Sequence, residues 1–95
     1  MLAVLESKIE RFLGSEMEKM GGKSIKLNSQ GLNGFPDRTC LLPGGRIFFV
    51  ELKAPGKKPR KLQKAVGRML ERLGFKVYVI DSKEKVLELV REYEI

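Results

Sequence analysis

Asp37, Glu51 and Lys53 are the residues of this chain whose types and spacing most plainly suit chemistry. Asp37 follows Pro36 at the mouth of an apolar run from Arg38 to Leu42, and Glu51-Leu52-Lys53 ends a second run that starts at Arg46. Pro43-Gly44-Gly45 joins the two runs as a turn. Two carboxylates and an amine at adjacent strand ends are what a hard divalent cation and an attacking water require. The chain contains no histidine. Imidazole zinc sites, histidine-based nucleases and Ser-His or Cys-His triads are therefore excluded together. Any catalysis must rest on carboxylates, lysines and a metal.

Register decides whether the two acids meet. If Pro43-Gly44-Gly45 forms a three-residue loop, Leu42 pairs with Arg46 and Asp37 lies opposite Glu51. Their β-carbons would then be about 5 Å apart on one face, close enough to share an ion. A two-residue loop would shift the pairing by one and send the acids to opposite faces. Glu51 and Lys53 point the same way in a regular strand. Lys53 can then hold water or phosphate while Glu51 holds metal, with the Leu52 carbonyl as a further ligand. Each motif is common by itself, since Pro-Asp is an ordinary turn signal and Glu-x-Lys recurs on exposed strands. Here, however, Glu51 ends a run that looks buried, Ile47-Phe48-Phe49-Val50, where a charge needs a partner or a task.

The elements that must position these groups follow from periodicity. Leu2, Leu5, Ile9, Leu13 and Met17, with Phe12 and Met20 beside them, predict a first helix stopped by Gly21-Gly22. Ser24 to Leu27 predicts a short strand, and Asn28 to Phe35 a loop rich in glycine and asparagine. Segments 37–42 and 46–53 predict a hairpin. Pro59 is expected in the first turn of a second helix, with Leu62, Ala65, Val66, Met69, Leu70 and Leu73 as its apolar stripe and Gly74 as its end. Phe75 to Ile80 predicts a fourth strand, and Asp81 or Ser82 the cap of a last helix carrying Val86, Leu87, Leu89, Val90 and Tyr93. The 95 residues are expected to form one α/β domain, residues 1–95, with Phe12, Phe48, Phe49 and Phe75 in its core.

Charge narrows the partners. Lysine and arginine number 19 against 12 acids, a net charge of +7. Between Glu51 and Glu71 there is no acid, while Lys53, Lys57, Lys58, Arg60, Lys61, Lys64 and Arg68 all fall there. The segment after Asp81 is richer in acids. A one-sided basic stretch beside a carboxylate pair points to phosphodiester binding. Lys26, Lys57, Lys58, Arg60, Lys61 and Lys64 are the expected backbone-phosphate contacts, which position a polyanion without reading its sequence. No apolar run is long enough for a membrane-spanning helix, and the start of the chain has no secretory pattern. The single cysteine, Cys40, reads as a core residue in a reducing compartment.

Gly34-Phe35-Pro36-Asp37, Glu51-Leu52-Lys53 and the later Gln63 together resemble the virus-type replication-repair nuclease (VRR-Nuc) domain of the PD-(D/E)XK superfamily. The resemblance spans nearly the whole chain, from Glu6-Ser7-Lys8-Ile9 to Tyr78-Val79-Ile80-Asp81. It implies a restriction-endonuclease-like α-β-β-β-α-β core with a C-terminal helix here, its mixed four-stranded sheet flanked by helices. It also implies Mg2+- or Mn2+-dependent phosphodiester hydrolysis by a homodimeric, structure-specific endonuclease. The implied substrate is branched DNA such as Holliday junctions, and the implied setting is the cytosol of a bacterial or phage-infected cell. By position, Asp37 and Glu51 match the metal ligands, Lys53 the catalytic lysine and Gln63 the motif glutamine. Glu6 best matches the family's helical acid.

Periodicity leaves Glu6 and Glu10 as alternatives for that acid, since both lie on one edge of the first helix. Gln63 falls on the inward side of its helix with Val66, Gly67 and Leu70. From there it is expected to reach the site acids, a water or a phosphate, and Gly67 to permit close approach of the sheet. The competing reading is a non-catalytic nucleic-acid-binding module that keeps the fold and its basic groove.

Overall fold

The computed structural model describes residues 2–27 and 33–94, with side chains from Leu5 onward. In chain order it contains α1 (Leu2–Lys19), β1 (Lys23–Ile25), β2 (Arg38–Leu42), β3 (Arg46–Leu52), α2 (Lys61–Arg72), β4 (Lys76–Ile80) and α3 (Lys83–Tyr93). The expected order of elements is the observed one. Most of the loop expected from Asn28 to Phe35, and the side chain of Leu2, lie outside the described residues.

The four strands form one sheet in the order β1-β2-β3-β4. β1, β2 and β3 pair antiparallel, and β4 joins β3 in parallel. This mixed sheet follows from the connections: a tight turn suffices between β2 and β3, whereas a parallel neighbour requires a crossover, supplied by α2. Gly44 and Gly45 take positive φ (85° and 73°), which lets the turn close over three residues, and Leu42 pairs with Arg46.

The helices divide between the two faces of the sheet. On the α1–α3 face, Ile9, Leu13 and Met17 of α1 and Val86, Leu89 and Val90 of α3 meet Cys40, Phe48, Val50 and Leu52. On the other face α2 packs Val66 and Leu70 on Phe49, with Phe35, Met69 and Val77 at the margin. Phe48 and Phe49 thus serve opposite cores, as strand alternation requires. Among the described residues no helix is long and apolar enough to cross a membrane.

Several expectations about α2 and its neighbours need correction. Helix α2 begins at Lys61 with Arg60 as N-cap, so Pro59 stands just before the helix rather than in its first turn. Leu62 and Leu73 are exposed rather than part of the apolar stripe, as is Ala65. One twelve-residue helix lies over the sheet on this side and faces it along a narrow strip only. Ile47, Phe75, Val79 and Leu87 are likewise exposed. Phe75 still meets Phe49 edge-on, with centroids 5.5 Å apart.

Candidate active site

The site lies where the mouth of β2 meets the end of β3. The residue pairs from Leu42↔Arg46 to Arg38↔Val50 extrapolate one step to Asp37 opposite Glu51, the register that brings the acids together. Asp37 sits in a bend before the strand proper. Its Oδ2 accepts the Leu52 N–H at 2.8 Å, so the side chain extends the ladder past the last paired backbone residue. Gly34 helps set that bend. Its φ is +84°, and a β-carbon there would come within 3.0 Å of the Leu62 backbone, so the loop can lie against the start of α2 only with glycine.

Glu51 is the unusual group. It is 3 % exposed, directly after the apolar run Ile47 to Val50, and its Oε1 has no hydrogen-bond partner among the described residues. Burial pushes its carboxyl up to about 9, with help from a shared hydrogen bond to Asp37 and from the Asp37 charge. Lys53 and Arg60 oppose this by favouring the anion. Burial and the neighbouring Asp37 outweigh those two cations, so the anion of Glu51 is disfavoured unless a closer cation binds it. Without one, a proton does that work.

The donor set therefore fits a hard divalent ion: two carboxylates, one with an unpartnered buried oxygen, and acceptor atoms only. Among the described residues no group of three or more acids, cysteines or histidines forms a complete metal cage. The remaining positions of a bound ion would fall to water, phosphate and a backbone carbonyl such as that of Leu52.

The other expected residues are distributed on either side of this pair. Toward α1, Glu6, Ser7, Glu10, Lys26, Asp37 and Leu52 line a cavity of about 260 Å³. Within it, Glu10 is tied to Arg38 Nε at 3.0 Å, whereas Glu6 makes no ion pair among the described residues. Glu10 thus braces α1 against β2.

Toward α2, Glu51 and Gln63 border a second cavity with Lys64 and Arg68. Gln63 is half-buried, as its wheel position suggested, but its Oε1 accepts the Arg60 N–H at 2.8 Å. The carbonyl end of Gln63 caps its own helix, which leaves the amide N–H groups for the site. Lys26, Lys57, Lys58, Arg60, Lys61 and Lys64 are all exposed, and none forms an ion pair among the described residues. Two features were not legible beforehand: the action of Arg60 on Glu51, and the apolar floor that Val77 and Val79 give the second cavity. A cation three residues before Gln63 was the available signal for Arg60.

No protein-family model matches the chain. Comparison with curated proteins finds "Putative nuclease p44" of Acyrthosiphon pisum secondary endosymbiont phage 1, 45% identical over 84 residues, or 88% of this chain and 90% of that protein. Among solved structures, one described as "VRR_NUC domain" superposes with a TM-score of 0.88 at 31% identity, over 95% of this chain and 98% of the other. Its fold, the mixed sheet with its order of elements, is shared with this chain. On relatives this similar over nearly their full length, and with a carboxylate pair at the strand ends, the chain belongs to the VRR_NUC nuclease-domain family.

Proposed function

We propose that this protein is a divalent-metal-dependent, structure-specific DNA endonuclease that hydrolyses phosphodiester bonds in branched DNA such as Holliday junctions. The observation that carries the reading is the buried Glu51 carboxylate, one oxygen unpartnered, held against Asp37. Burying an acid this way is costly unless a cation offsets it.

Asp37 and Glu51 are the side chains that would hold Mg2+ or Mn2+, with the Leu52 carbonyl beside them. When bound, such an ion lowers the pKa of a water and stabilises charge on the phosphate. The chain's own groups do the rest. The Leu52 N–H fixes Asp37 Oδ2 in place. Lys53 orients the attacking water or the scissile phosphate, and Arg60 adds positive charge beside Glu51. Glu6 acts from the α1 side, and the Gln63 amide donates to a water or a phosphate oxygen. Lys26, Lys57, Lys58, Lys61 and Lys64 grip flanking phosphates in a salt-sensitive way.

A C2 homodimer would present two such sites to two strands of a branch, for which one 95-residue domain offers little surface. The phage relative supports a role in the cytosol of a bacterial or phage-infected cell. The test is cleavage of four-way junction, flap, nicked, duplex and single-stranded DNA in Mg2+, Mn2+ or EDTA, with Asp37→Asn alongside. Cleavage only with metal, strongest on branched substrates and absent in the variant, is expected. Binding without cleavage of any substrate would favour the non-catalytic module, and a monomer by sedimentation on junction DNA would remove the dimer.

A further inference from the structure

The groove between α2 and β4 opens directly beside Glu51, yet the cleavage chemistry leaves most of it unused. It holds about 200 Å³, with Lys64, Arg68 and the acidic Glu71 on its α2 wall and Val77 and Val79 on its sheet side. Glu51 and Val79 are register partners on β3 and β4, so the apolar floor begins one strand away from the carboxylate. Neither Lys64 nor Arg68 makes an ion pair among the described residues.

Gly67 explains the depth of this groove. Glycine in a helix interior is costly relative to alanine, so its place in the middle of α2 needs a reason. Close helix–sheet packing is not that reason. A β-carbon at Gly67 would meet a single atom within 4 Å, Val77 Cγ1 at 3.9 Å, which is ordinary contact. Gly67 lines the groove itself, and any longer side chain there would project into it.

We propose that this groove is a subsite for one unpaired nucleotide adjacent to the scissile phosphate. The base lies on Val77 and Val79, and its phosphate meets Lys64 and Arg68. This inference rests on the nuclease reading of the Asp37–Glu51 site. Size and chemistry select the ligand. The volume is below the roughly 300 Å³ at which pockets for drug-sized ligands begin, so it takes one ring system and not a base pair. Apolar walls with charged rims are how an extruded base and its backbone are held. A paired base cannot enter without unstacking, so the groove favours branch points and flaps over continuous duplex.

The test is equilibrium binding in EDTA to a junction or flap in which single nucleotides around the branch are made abasic in turn. For the unsubstituted protein, one position is expected to lose about tenfold in affinity when its base is removed, in line with base stacking. Gly67→Leu, which fills the groove, should lose a similar factor on intact DNA and no longer respond to the abasic position. Gly67→Ala should melt no lower than the unsubstituted protein. Uniform affinity across the abasic series, or a Gly67→Leu variant that still senses the missing base, would overturn the subsite. A lower melting temperature for Gly67→Ala would return the glycine to a packing role and overturn it as well. Because binding is read without metal, base discrimination without cleavage would sink the nuclease reading alone. Cleavage without discrimination would sink the subsite alone.

Discussion

The two faces of the sheet are built differently. Among the described residues, twelve buried ones form a continuous core on the α1–α3 face, whereas the α2 face has three. Phe48 and Phe49 are chain neighbours that sample both. Phe48 is fully buried, stacked on Tyr93 at 4.4 Å and edge-on to Tyr78 at 5.5 Å. Phe49 has α2 above it and Phe35 and Phe75 at its edges. Beyond α2 that face stays open, with Leu41 and Ile47 exposed at one end and Val79 at the other. Glu51 belongs to the thin face, and so do the groove and the basic helix. One face holds the fold, which frees the other to keep a costly carboxylate and an empty groove beside solvent.

Truncation breaks that contrast most directly. Phe48→Ala should cost about 3–5 kcal/mol, the range for a fully buried aromatic. Leu70→Ala on the α2 face should fall near 2 kcal/mol, the low end for leucine, because its surroundings can collapse. Urea denaturation of both variants checks this, and equal costs would erase the distinction. Hydrogen exchange should agree, with α2 amides opening at lower free energy than those of the α1–α3 face.

Glu51→Gln inverts the pattern. It should lower metal-dependent cleavage by at least about 100-fold, since a metal ligand matters more than the outer-shell partners worth 10–100-fold. Stability without metal should be unchanged or higher, because the amide need not take up a proton on folding as Glu51 must. DNA affinity should hold or rise as repulsion of phosphate falls. A parallel loss of stability would mark Glu51 as a structural residue.

The pH dependence sharpens the same point. Without metal, folded Glu51 keeps its proton up to about pH 9, against about 4.5 for an ordinary glutamate. Between those values the folded chain binds more protons than the unfolded one, so stability is full below the lower value and falls as pH rises. Melting in EDTA should therefore decline from pH 5.5 to 8.5, more steeply than for Glu51→Gln. Excess Mg2+ should offset the decline by binding the ionised pair of the native state alone.

Much of this was legible in the sequence, for identifiable reasons. The order of elements followed from apolar periodicity, and the Asp37–Glu51 register from a Pro-Gly-Gly loop whose length fixes strand pairing. Cys40 is buried as its strand position implied. What failed lies mostly around α2. A helical wheel ranks residues by side but cannot say how wide the covering surface is, so Leu62 and Leu73 looked buried. Gly67 suggested close packing, while the ordinary contact that a β-carbon would make there with Val77 is a property of two elements together. That Glu10 is held by Arg38 could not be read beforehand, because the approach of Arg38 to α1 is a tertiary contact 28 residues away in sequence.

The smallest expected effect concerns helix caps, and it tests whether the open face trades stability for function. Ser82 caps α3 in the usual way, its hydroxyl accepting the Lys85 N–H at 3.2 Å. Ser82→Ala should cost about 1 kcal/mol. Arg60 occupies the same position in α2 but has no acceptor to offer, and α2 has no acid in its first turn. Arg60→Ser supplies the missing acceptor and should stabilise α2 by about 0.5–1 kcal/mol. It also removes a positive charge beside Glu51 that is proposed to face the phosphate, so cleavage should fall even as the melting temperature rises. A stabilised variant with undiminished cleavage would show that Arg60 sits at the cap for no catalytic reason. A destabilised one would mean that its stem packs on the site strongly enough to outweigh the cap.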